Sequence, residues 1–411
     1  MKVAIVTVGE LPIPDVRGGG AETLIEHIIE KNEQYKELDI IVYSIYDELA
    51  EKKSKTFKKT EFVYLSLNKK ILLKRLKRKA IKLISGFDIP IENYSYSKVL
   101  KDILRRNVNV VIIENTMVPY VKYSRKLKKK LLLHTHWDYI NNTLPALVLN
   151  GYKKALRKSS GVITVSDYIK KCILTVPEIT SENVSVLKNC TDLSRFGMQY
   201  KSEELMALRE KNGISQDDFV FIFCGRISPE KGALELAKAF NKLHDKNKVK
   251  LLLVGSAKTG HAQMDSYTEN VHNELKQSSD HVVITGYIPN QDMPMYYQMS
   301  NVAVLPSIND DPAPLTIFES MASGLPIITT YSGGIPEYAD KQCAIFCHKD
   351  ERIVSELSDA MDIVRKDSEL VLKMQQHAKE RVKIFNTDQY YKDLLQILRE
   401  RMNHYENSNC D

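Results

Sequence analysis

Long apolar runs are missing from this chain of 411 residues. The short run at the N-terminus, Val3–Val8, leads straight into a strand-and-loop pattern and not into a signal-peptide cleavage site. No other run approaches the roughly 20 apolar residues that are needed to span a bilayer. These absences predict a protein of the cytoplasm, either free or bound at the inner face of a membrane.

Cysteine is sparse and scattered, with six in the whole chain. Cys343 and Cys347 are close in sequence, but no second pair follows at a spacing typical of a zinc site. The pattern favours reduced thiols over a metal cluster. Tandem repeats are also missing, which excludes a solenoid. The six cysteines are Cys172, Cys190, Cys224, Cys343, Cys347 and Cys410.

Positive charge exceeds negative charge, with a formal net charge of +7, and it is concentrated in the first half. Lys69–Lys82 holds eight basic residues and no acidic one, with leucines and isoleucines at helical spacing. Such a segment is usually a solvated helix. It also fits a helix that lies on anionic lipid, at roughly 1 kcal/mol per basic residue. Nucleic acid would attract it too, but no recognition module accompanies it, so we expect no nucleic-acid partner.

Short apolar runs alternate with amphipathic segments along the chain, which predicts α/β architecture with doubly wound parallel sheets. A polar stretch from Lys188 to Asp218 separates two such series and is interpreted as a linker, so the length accommodates two domains. The first series is Val3–Val8, Asp39–Tyr43, Phe62–Leu65, Val108–Ile113, Leu131–His134, Gly161–Val165 and Val184–Leu187. The second is Phe219–Cys224, Lys250–Val254, Val282–Thr285, Val302–Leu305 and Pro326–Thr329.

The stretch Leu305–Ala339 predicts an anion site. A strand is followed by Asp310-Asp311-Pro312, which is typical of a helix start, and Gly324 ends the helix. Helix N-termini at the carboxyl ends of parallel strands offer N–H groups to phosphate, here from Ala313, Leu315 and Thr316. Asp311 and Glu319 would repel phosphate but suit hydroxyl groups. The ligand is therefore expected to combine phosphate with sugar.

Two glycine-containing loops follow strands and also suit phosphate. Gly18-Gly19-Gly20 precedes a helix, although a triglycine taken alone is more often a flexible turn. Gly225-Arg226 and Lys231-Gly232 enclose a prolyl turn, across which Arg226 and Lys231 can converge on one diphosphate. Isolated basic residues in loops are mostly solvated, but the strand end and the turn favour a phosphate clamp.

His134 and His136 end another strand and point to the same side of it, a spacing that can chelate a metal. No third ligand is evident nearby in the sequence, and a structural histidine is the commoner outcome for either one. We expect no metal site.

These motifs together resemble retaining glycosyltransferase family 4. The resemblance implies the GT-B fold, in which two Rossmann-like domains with doubly wound parallel sheets face an interdomain cleft. It implies an acceptor-side domain over 1–195, a nucleotide-sugar domain over 196–382 and a terminal helix, 383–411, that crosses back to the first domain. The sequence departs from the family pattern at Asp311 (usually Glu), Pro314 (usually Gly) and Cys190 (usually Gly).

The resemblance also implies a role for each matching residue. Arg226 and Lys231 would neutralise the leaving diphosphate, Asp311 and His136 would contact the donor sugar, and Glu319 would bind the ribose. The remaining binding residues would be the phosphate loops, the backbone beside the base and the helix start: Gly19, Gly20, Gly225, Tyr287, Ile288, Ala313, Leu315 and Thr316.

The expected activity is transfer of a hexosyl group from a nucleotide-diphosphate sugar, with UDP favoured as the nucleotide, to a lipid-linked or glycan hydroxyl, with retention of configuration. The sequence has no Asp-x-Asp pair, which commonly holds a divalent ion in metal-dependent sugar transferases, so metal independence and no cofactor are expected. Surface polysaccharide or glycolipid assembly is the expected context. The alternatives are a nucleotide-sugar epimerase, a sugar-phosphate synthase, or an inactive scaffold at the membrane.

Overall fold

The computed structural model describes residues 1–66, 93–140, 146–257 and 265–407, with side chains omitted at 146–148 and 404–407. The basic segment Lys69–Lys82 lies outside the described residues. Two compact units are present. The first comprises residues 1–189 and 387–411, and the second comprises residues 190–386.

A seven-stranded parallel sheet forms the centre of the first unit, in the order β3-β2-β1-β4-β5-β6-β7. Its middle strands are almost wholly buried, which explains their continuous apolar sequence. The strands are β1 Lys2–Val6, β2 Asp39–Ile45, β3 Thr60–Leu65, β4 Val110–Glu114, β5 Leu131–Thr135, β6 Gly161–Thr164 and β7 Val184–Val186.

Amphipathic helices connect these strands, and their apolar faces join the sheet in one core, as the alternating pattern predicts. Buried tyrosines with bonded hydroxyls contribute much of its bulk; Tyr94, for example, donates to the carbonyl of Thr7. The described α-helices of this unit are Gly20–Tyr35, Glu48–Ser54, Tyr96–Arg106, Met117–Leu127, Ala146–Lys158, Asp167–Leu174 and Thr387–Asn407.

The second unit contains a six-stranded parallel sheet in the order β10-β9-β8-β11-β12-β13. The prediction of two doubly wound parallel sheets is confirmed, and β13 is one strand more than the sequence pattern indicated. The strands are β8 Phe219–Cys224, β9 Val249–Val254, β10 Val282–Gly286, β11 Val302–Leu305, β12 Ile327–Thr330 and β13 Ala344–Cys347.

Two helices, Leu193–Phe196 and Ser202–Lys211, occupy the stretch that was interpreted as a linker, so most of that stretch is structured within the second unit. Asp192 caps the first of them by accepting from the amides of Ser194 and Arg195 at 2.9 and 3.2 Å. The other α-helices of this unit are Ala233–Lys242, Ser266–Leu275, Met293–Gln298, Leu315–Ala322, Ile335–Tyr338, Ile353–Lys366 and Ser368–Val382.

The last helix, Thr387–Asn407, packs on the first helix of the chain, Gly20–Tyr35. The Tyr391 hydroxyl donates to Asn32 Oδ1 at 2.6 Å, and the Tyr391 ring stacks on Tyr35 with centroids 5.6 Å apart. Lys31 Nζ lies 2.8 Å from Asp388 Oδ2. These contacts place the end of the chain within the first unit. No helix among the described residues is long and apolar enough to cross a membrane.

Candidate functional site

In the second unit, the loops that follow β8 and β11 lie against each other at the carboxyl edge of the sheet. Gly232 has φ +72°, and a Cβ there would overlap the carbonyl oxygen of Pro306. The amides of Ile308 and Asn309 donate to the Glu230 carbonyl at 2.9 and 3.3 Å. Only glycine permits this approach at position 232, so the loop sequence fixes the two strand ends relative to each other.

Lys231 and Asp311 form an ion pair between these two loops, with side chains 26% and 16% exposed. The Asp311 amide donates to Ser332 Oγ at 3.1 Å, and the Asp311 carbonyl accepts from the Gly334 amide at 2.9 Å. The backbone of Asp311 is therefore held by the loop after β12. Its carboxylate neutralises Lys231, so an anion that binds Lys231 must compete with Asp311.

Arg226 belongs to the same loop as Lys231 but pairs with a different carboxylate. Its guanidinium lies 3.1 Å from Glu230 Oε1, and almost half of the Arg226 side chain is exposed. Glu230 is therefore the partner of Arg226, as the i, i+4 spacing allows.

The helix Leu315–Ala322 begins after Pro314, whose φ and ψ are −68° and 128°. It begins several residues later than the Asp310-Asp311-Pro312 pattern predicted. Asp310 does not cap it; Asp310 Oδ1 accepts from the Gly333 amide at 2.9 Å and so closes the loop between β11 and β12. The amides of Leu315 and Thr316 lie in the first turn, where helix geometry provides no intrahelical acceptor.

Glu319 lies on the same helix and is 8% exposed. The buried Tyr297 hydroxyl donates to Glu319 Oε2 at 2.8 Å. Burial, and to a smaller extent the nearby Glu319 charge, raises the pKa of the Cys224 thiol to about 12. Burial, with the Cys224 and Glu319 charges, also raises the pKa of Tyr297 well above its usual value. Tyr297 was missed because an apolar helix with two tyrosines looks like ordinary core sequence.

Tyr287 and Ile288 directly follow β10 and are partly buried. Gly286, with φ +71°, accepts from the Gly255 amide at 2.9 Å, so the loop that follows β9 is joined to the end of β10. Gly225, with φ +144°, follows β8 and donates its amide to the Val254 carbonyl at 3.1 Å. The three loops therefore share the carboxyl edge of the second sheet.

The glycine loop of the first unit is shaped by Asp15. Asp15 Oδ1 accepts from the Gly18 amide at 2.7 Å, and Asp15 Oδ2 accepts from Thr23 Oγ1 at 2.7 Å. Gly19 is extended, and Gly20 is already the first residue of the helix that the sequence placed after the three glycines. A Cβ on Gly19 would overlap the carboxylate of Glu22, so the glycine leaves room for that side chain.

The Glu22 carboxyl has a pKa raised to about 7. Burial is the main cause, its own backbone amide partly offsets this, and the charges of Asp15, Glu10 and Glu114 raise the value further. Three other carboxyl groups therefore act on the Glu22 carboxyl, which lies two residues after the glycine loop.

His134 and His136 converge on Glu114, which ends the neighbouring strand and pairs with His134 in the sheet register. His134 Nδ1 lies 3.1 Å and His136 Nε2 lies 3.2 Å from Glu114 Oε2. Burial alone would raise the pKa of Glu114, but the two imidazoles outweigh it and lower the pKa to about 2. Burial and the charge of His134 lower the pKa of His136, against the opposing effect of Glu114.

Glu114 is the third group that the sequence interpretation did not find beside the two histidines. Among the described residues, these three offer ligand atoms that all lie within 4.8 Å of one another, close enough for one metal ion to contact all three. Their separations of 3.1 and 3.2 Å are hydrogen-bond distances, and two imidazole N–H donors on one carboxylate account for them without an ion.

Comparison with known proteins shows which family these loops resemble. Residues 206–381 match the family model described as glycosyl transferases group 1. This segment is therefore similar to group 1 glycosyl transferases. It contains the Arg226, Lys231, Asp311 and Glu319 positions, and the predicted resemblance to GT-B glycosyltransferases is confirmed.

Two relatives and one solved structure illustrate what the chain is similar to. Spore coat protein SA of Bacillus subtilis is 25% identical over 348 residues, which cover 83% of this chain and 84% of that protein. Alpha-monoglucosyldiacylglycerol synthase of Acholeplasma laidlawii is 25% identical over 55% of this chain and 58% of its own length. The crystal structure of HepE from Anabaena in complex with UDP has a TM-score of 0.75 at 17% identity, covering 97% of this chain and all of that one.

Proposed function

We propose that this protein transfers a sugar from a nucleotide-diphosphate donor to an acceptor hydroxyl with retention of the anomeric configuration. The observation that carries the proposal is the Lys231–Asp311 ion pair, which lies at the carboxyl edge of the second sheet near the start of the helix Leu315–Ala322. A cation, a carboxylate and helix-end amides at one strand edge suit the diphosphate and the hydroxyl groups of one ligand.

The diphosphate would take Lys231 from Asp311 and would receive further stabilisation from Arg226 and the first-turn amides of Leu315 and Thr316. Breaking the bond to the anomeric carbon concentrates negative charge on the phosphate. Fixed cationic and N–H donors therefore stabilise the transition state more than the ground state. Once released from Lys231, Asp311 is available to accept from a sugar hydroxyl.

The nucleoside would bind through Glu319 and the backbone at Tyr287 and Ile288. The buried Tyr297 donor holds one oxygen of Glu319, which preorganises the carboxylate for ribose hydroxyl groups. The nucleotide we favour is UDP, and the UDP complex of HepE supports this choice.

Retention would follow from attack on the same face as the departing phosphate, which would help to deprotonate the acceptor. We assign no carboxylate nucleophile, and the positive groups named above replace a divalent ion. Transfer should therefore persist in EDTA. If EDTA abolished it and magnesium or manganese restored it, metal independence would be wrong.

The first unit would bind the acceptor, and His136 would contact the sugar. Polysaccharide or glycolipid assembly at the inner face of a membrane is the context we propose, and the lipid product named for the Acholeplasma relative supports it. Flotation with anionic liposomes, with Lys74, Arg75, Lys77 and Arg78 changed to Glu, tests the membrane contact. Equal flotation of both proteins would contradict it.

The decisive experiment combines a donor screen with one matched pair of variants. UDP-, GDP-, ADP- and dTDP-sugars are compared by thermal shift, because a ligand that binds only the folded state raises the melting temperature. Turnover of a radiolabelled donor then separates transfer from epimerisation and phosphate release. We expect Lys231→Ala to lower transfer about 100-fold, as for loss of one transition-state donor, and Lys238→Ala, an exposed lysine of the same unit, to leave it unchanged. Equal transfer by both variants would overturn the proposal.

A further inference from the structure

We infer that Glu114 is a positioning residue, which fixes His136 in the neutral tautomer with a proton on Nε2 and thereby presents Nδ1 as a hydrogen-bond acceptor to a substrate hydroxyl. The inference rests on the proposed function, because it assigns the first unit a contact with the reacting sugar or acceptor. Glu114, His134 and His136 are called the Glu–His–His cluster below.

The backbone alone brings the three residues of the Glu–His–His cluster close together. Glu114 and His134 are register partners on adjacent parallel strands, and His136 follows on the same side of its strand. Asn115, at φ +48°, donates its amide to the His134 carbonyl at 2.7 Å and accepts from the His136 amide through Oδ1 at 3.1 Å. The loop that holds His136 is therefore fixed, and Glu114 acts on the orientation of the ring.

One placement of hydrogens on the atoms of the Glu–His–His cluster agrees with these contacts. Glu114 is ionised at neutral pH because its pKa is lowered to about 2, so it accepts and cannot donate. Both nitrogens that face it, His134 Nδ1 and His136 Nε2, must then carry hydrogens. His134 Nε2 is buried with no partner among the described residues, so its surroundings favour a lone pair there over a hydrogen. An unpaired acceptor there costs less than an unpaired N–H.

His136 is the member of the cluster that reaches the surface. Its side chain is 12% exposed, whereas those of Glu114 and His134 are each 2% exposed. With Nε2 committed to Glu114, Nδ1 is the nitrogen left for a ligand. Burial is the main cause of the lowered pKa of His136, so the ring is neutral at neutral pH and Nδ1 retains its lone pair.

The charged groups around the cluster come from several elements. His134 lies on the same strand as His136, Glu114 on the neighbouring strand, and the buried Asp138 in the turn that follows. From the first helix, Glu22 shares a charge interaction with Glu114, and the Glu22 carboxyl has a pKa of about 7. Titration of Glu22 therefore falls within the working pH range. The pH profile of kcat must be compared with that of a Glu22→Gln protein.

The test that needs no turnover is the nitrogen spectrum of the imidazoles in the full-length protein labelled with 15N. We expect His136 to show the single neutral tautomer with hydrogen on Nε2 in the wild type. In Glu114→Gln the amide can donate as well as accept, so a mixture of tautomers is expected. A surface variant, Glu178→Gln, removes a carboxylate that pairs with Arg157 and should leave the spectrum unchanged.

Two spectral results would overturn the inference. One is a wild-type His136 with hydrogen on Nδ1 or with both tautomers populated. The other is stoichiometric Zn²⁺ binding by the EDTA-treated protein with both imidazole spectra moving to metal-bound shifts, which would make the cluster a metal site. These results concern only the cluster and leave the proposed transferase activity untouched.

Kinetics provide the second readout. Glu114→Gln should lower kcat about 10- to 100-fold, in line with other partners that orient a functional histidine, with a smaller change in the KM of the donor. The acid limb of its pH profile should move to lower pH, because the carboxylate that holds the pKa of His136 up has been removed. An equal loss at every pH would indicate a merely structural role and would contradict the inference.

Discussion

Replacing Asp311 by Asn should tighten the binding of free UDP while weakening sugar transfer. In the structure, Lys231 is bound by the Asp311 carboxylate, so a diphosphate must break that ion pair before it can use the lysine. Asparagine preserves the shape of the side chain but removes the charge. The competing anion disappears, and with it one carboxylate that would accept from the sugar.

The magnitude follows from the exposure of the pair. Its side chains are 26% and 16% exposed, so its strength should lie at or slightly above the upper end of surface pairs. An exposed pair contributes up to about 1 kcal/mol, and a gain of about 0.5–1.4 kcal/mol corresponds to roughly two- to tenfold tighter UDP binding. Titration calorimetry with UDP measures the gain, and a radiolabelled-donor assay measures the loss of transfer.

The control is Asp217→Asn, which removes an equivalent carboxylate from an exposed pair with Lys248 in the same unit. It should change neither quantity. If Asp311→Asn bound UDP more weakly than the wild type, Lys231 would not be the diphosphate ligand and the reasoning would be refuted.

Two further predictions concern stability. The pKa of Glu22 is raised to about 7 from 4.5. The contribution of Glu22 to the free energy of unfolding is therefore fully present below about pH 4.5 and is lost as the pH rises through 7. Urea titrations should therefore show the free energy of unfolding of Glu22→Gln rising by about 1–3 kcal/mol relative to that of the wild type between pH 4.5 and 8. A difference between the two proteins that does not change with pH would contradict the raised pKa of Glu22. Tyr297→Phe removes one buried hydrogen-bond donor from the Glu319 carboxylate, which costs about 1.5–3 kcal/mol. Calorimetry should show a melting temperature lower by about 3–12 °C, whereas the exposed Tyr331→Phe should match the wild type.

The sequence was informative wherever periodicity determines the structure. Both parallel sheets follow from buried apolar runs that alternate with amphipathic helices, and most predicted strands agree with the observed ones within about two residues. Strand β13, Ala344–Cys347, escaped detection because it is short and its middle residues are partly exposed at the edge of the sheet.

Tertiary contacts decided the features that sequence analysis missed. Asp310 and Pro312 look like a helix start, but the Asp310 carboxylate is used by the Gly333 amide, far along the chain. Glu114 meets His134 and His136 only through the register of β4 and β5. An acid at the last position of an apolar run was the available signal, and it became meaningful only once the neighbouring strand was known.

The order of the units along the chain has a consequence for synthesis. The first unit includes Thr387–Asn407, which a ribosome makes only after the entire second unit. Until then, the face of Gly20–Tyr35 that packs against Tyr391 stays uncovered, and Asn32 Oδ1 lacks the hydroxyl donor that Tyr391 later provides. The second unit is one continuous segment and can fold as soon as it emerges. A nascent chain stopped near residue 386 should therefore hold a mature second unit beside a first unit that is still open to proteases and chaperones.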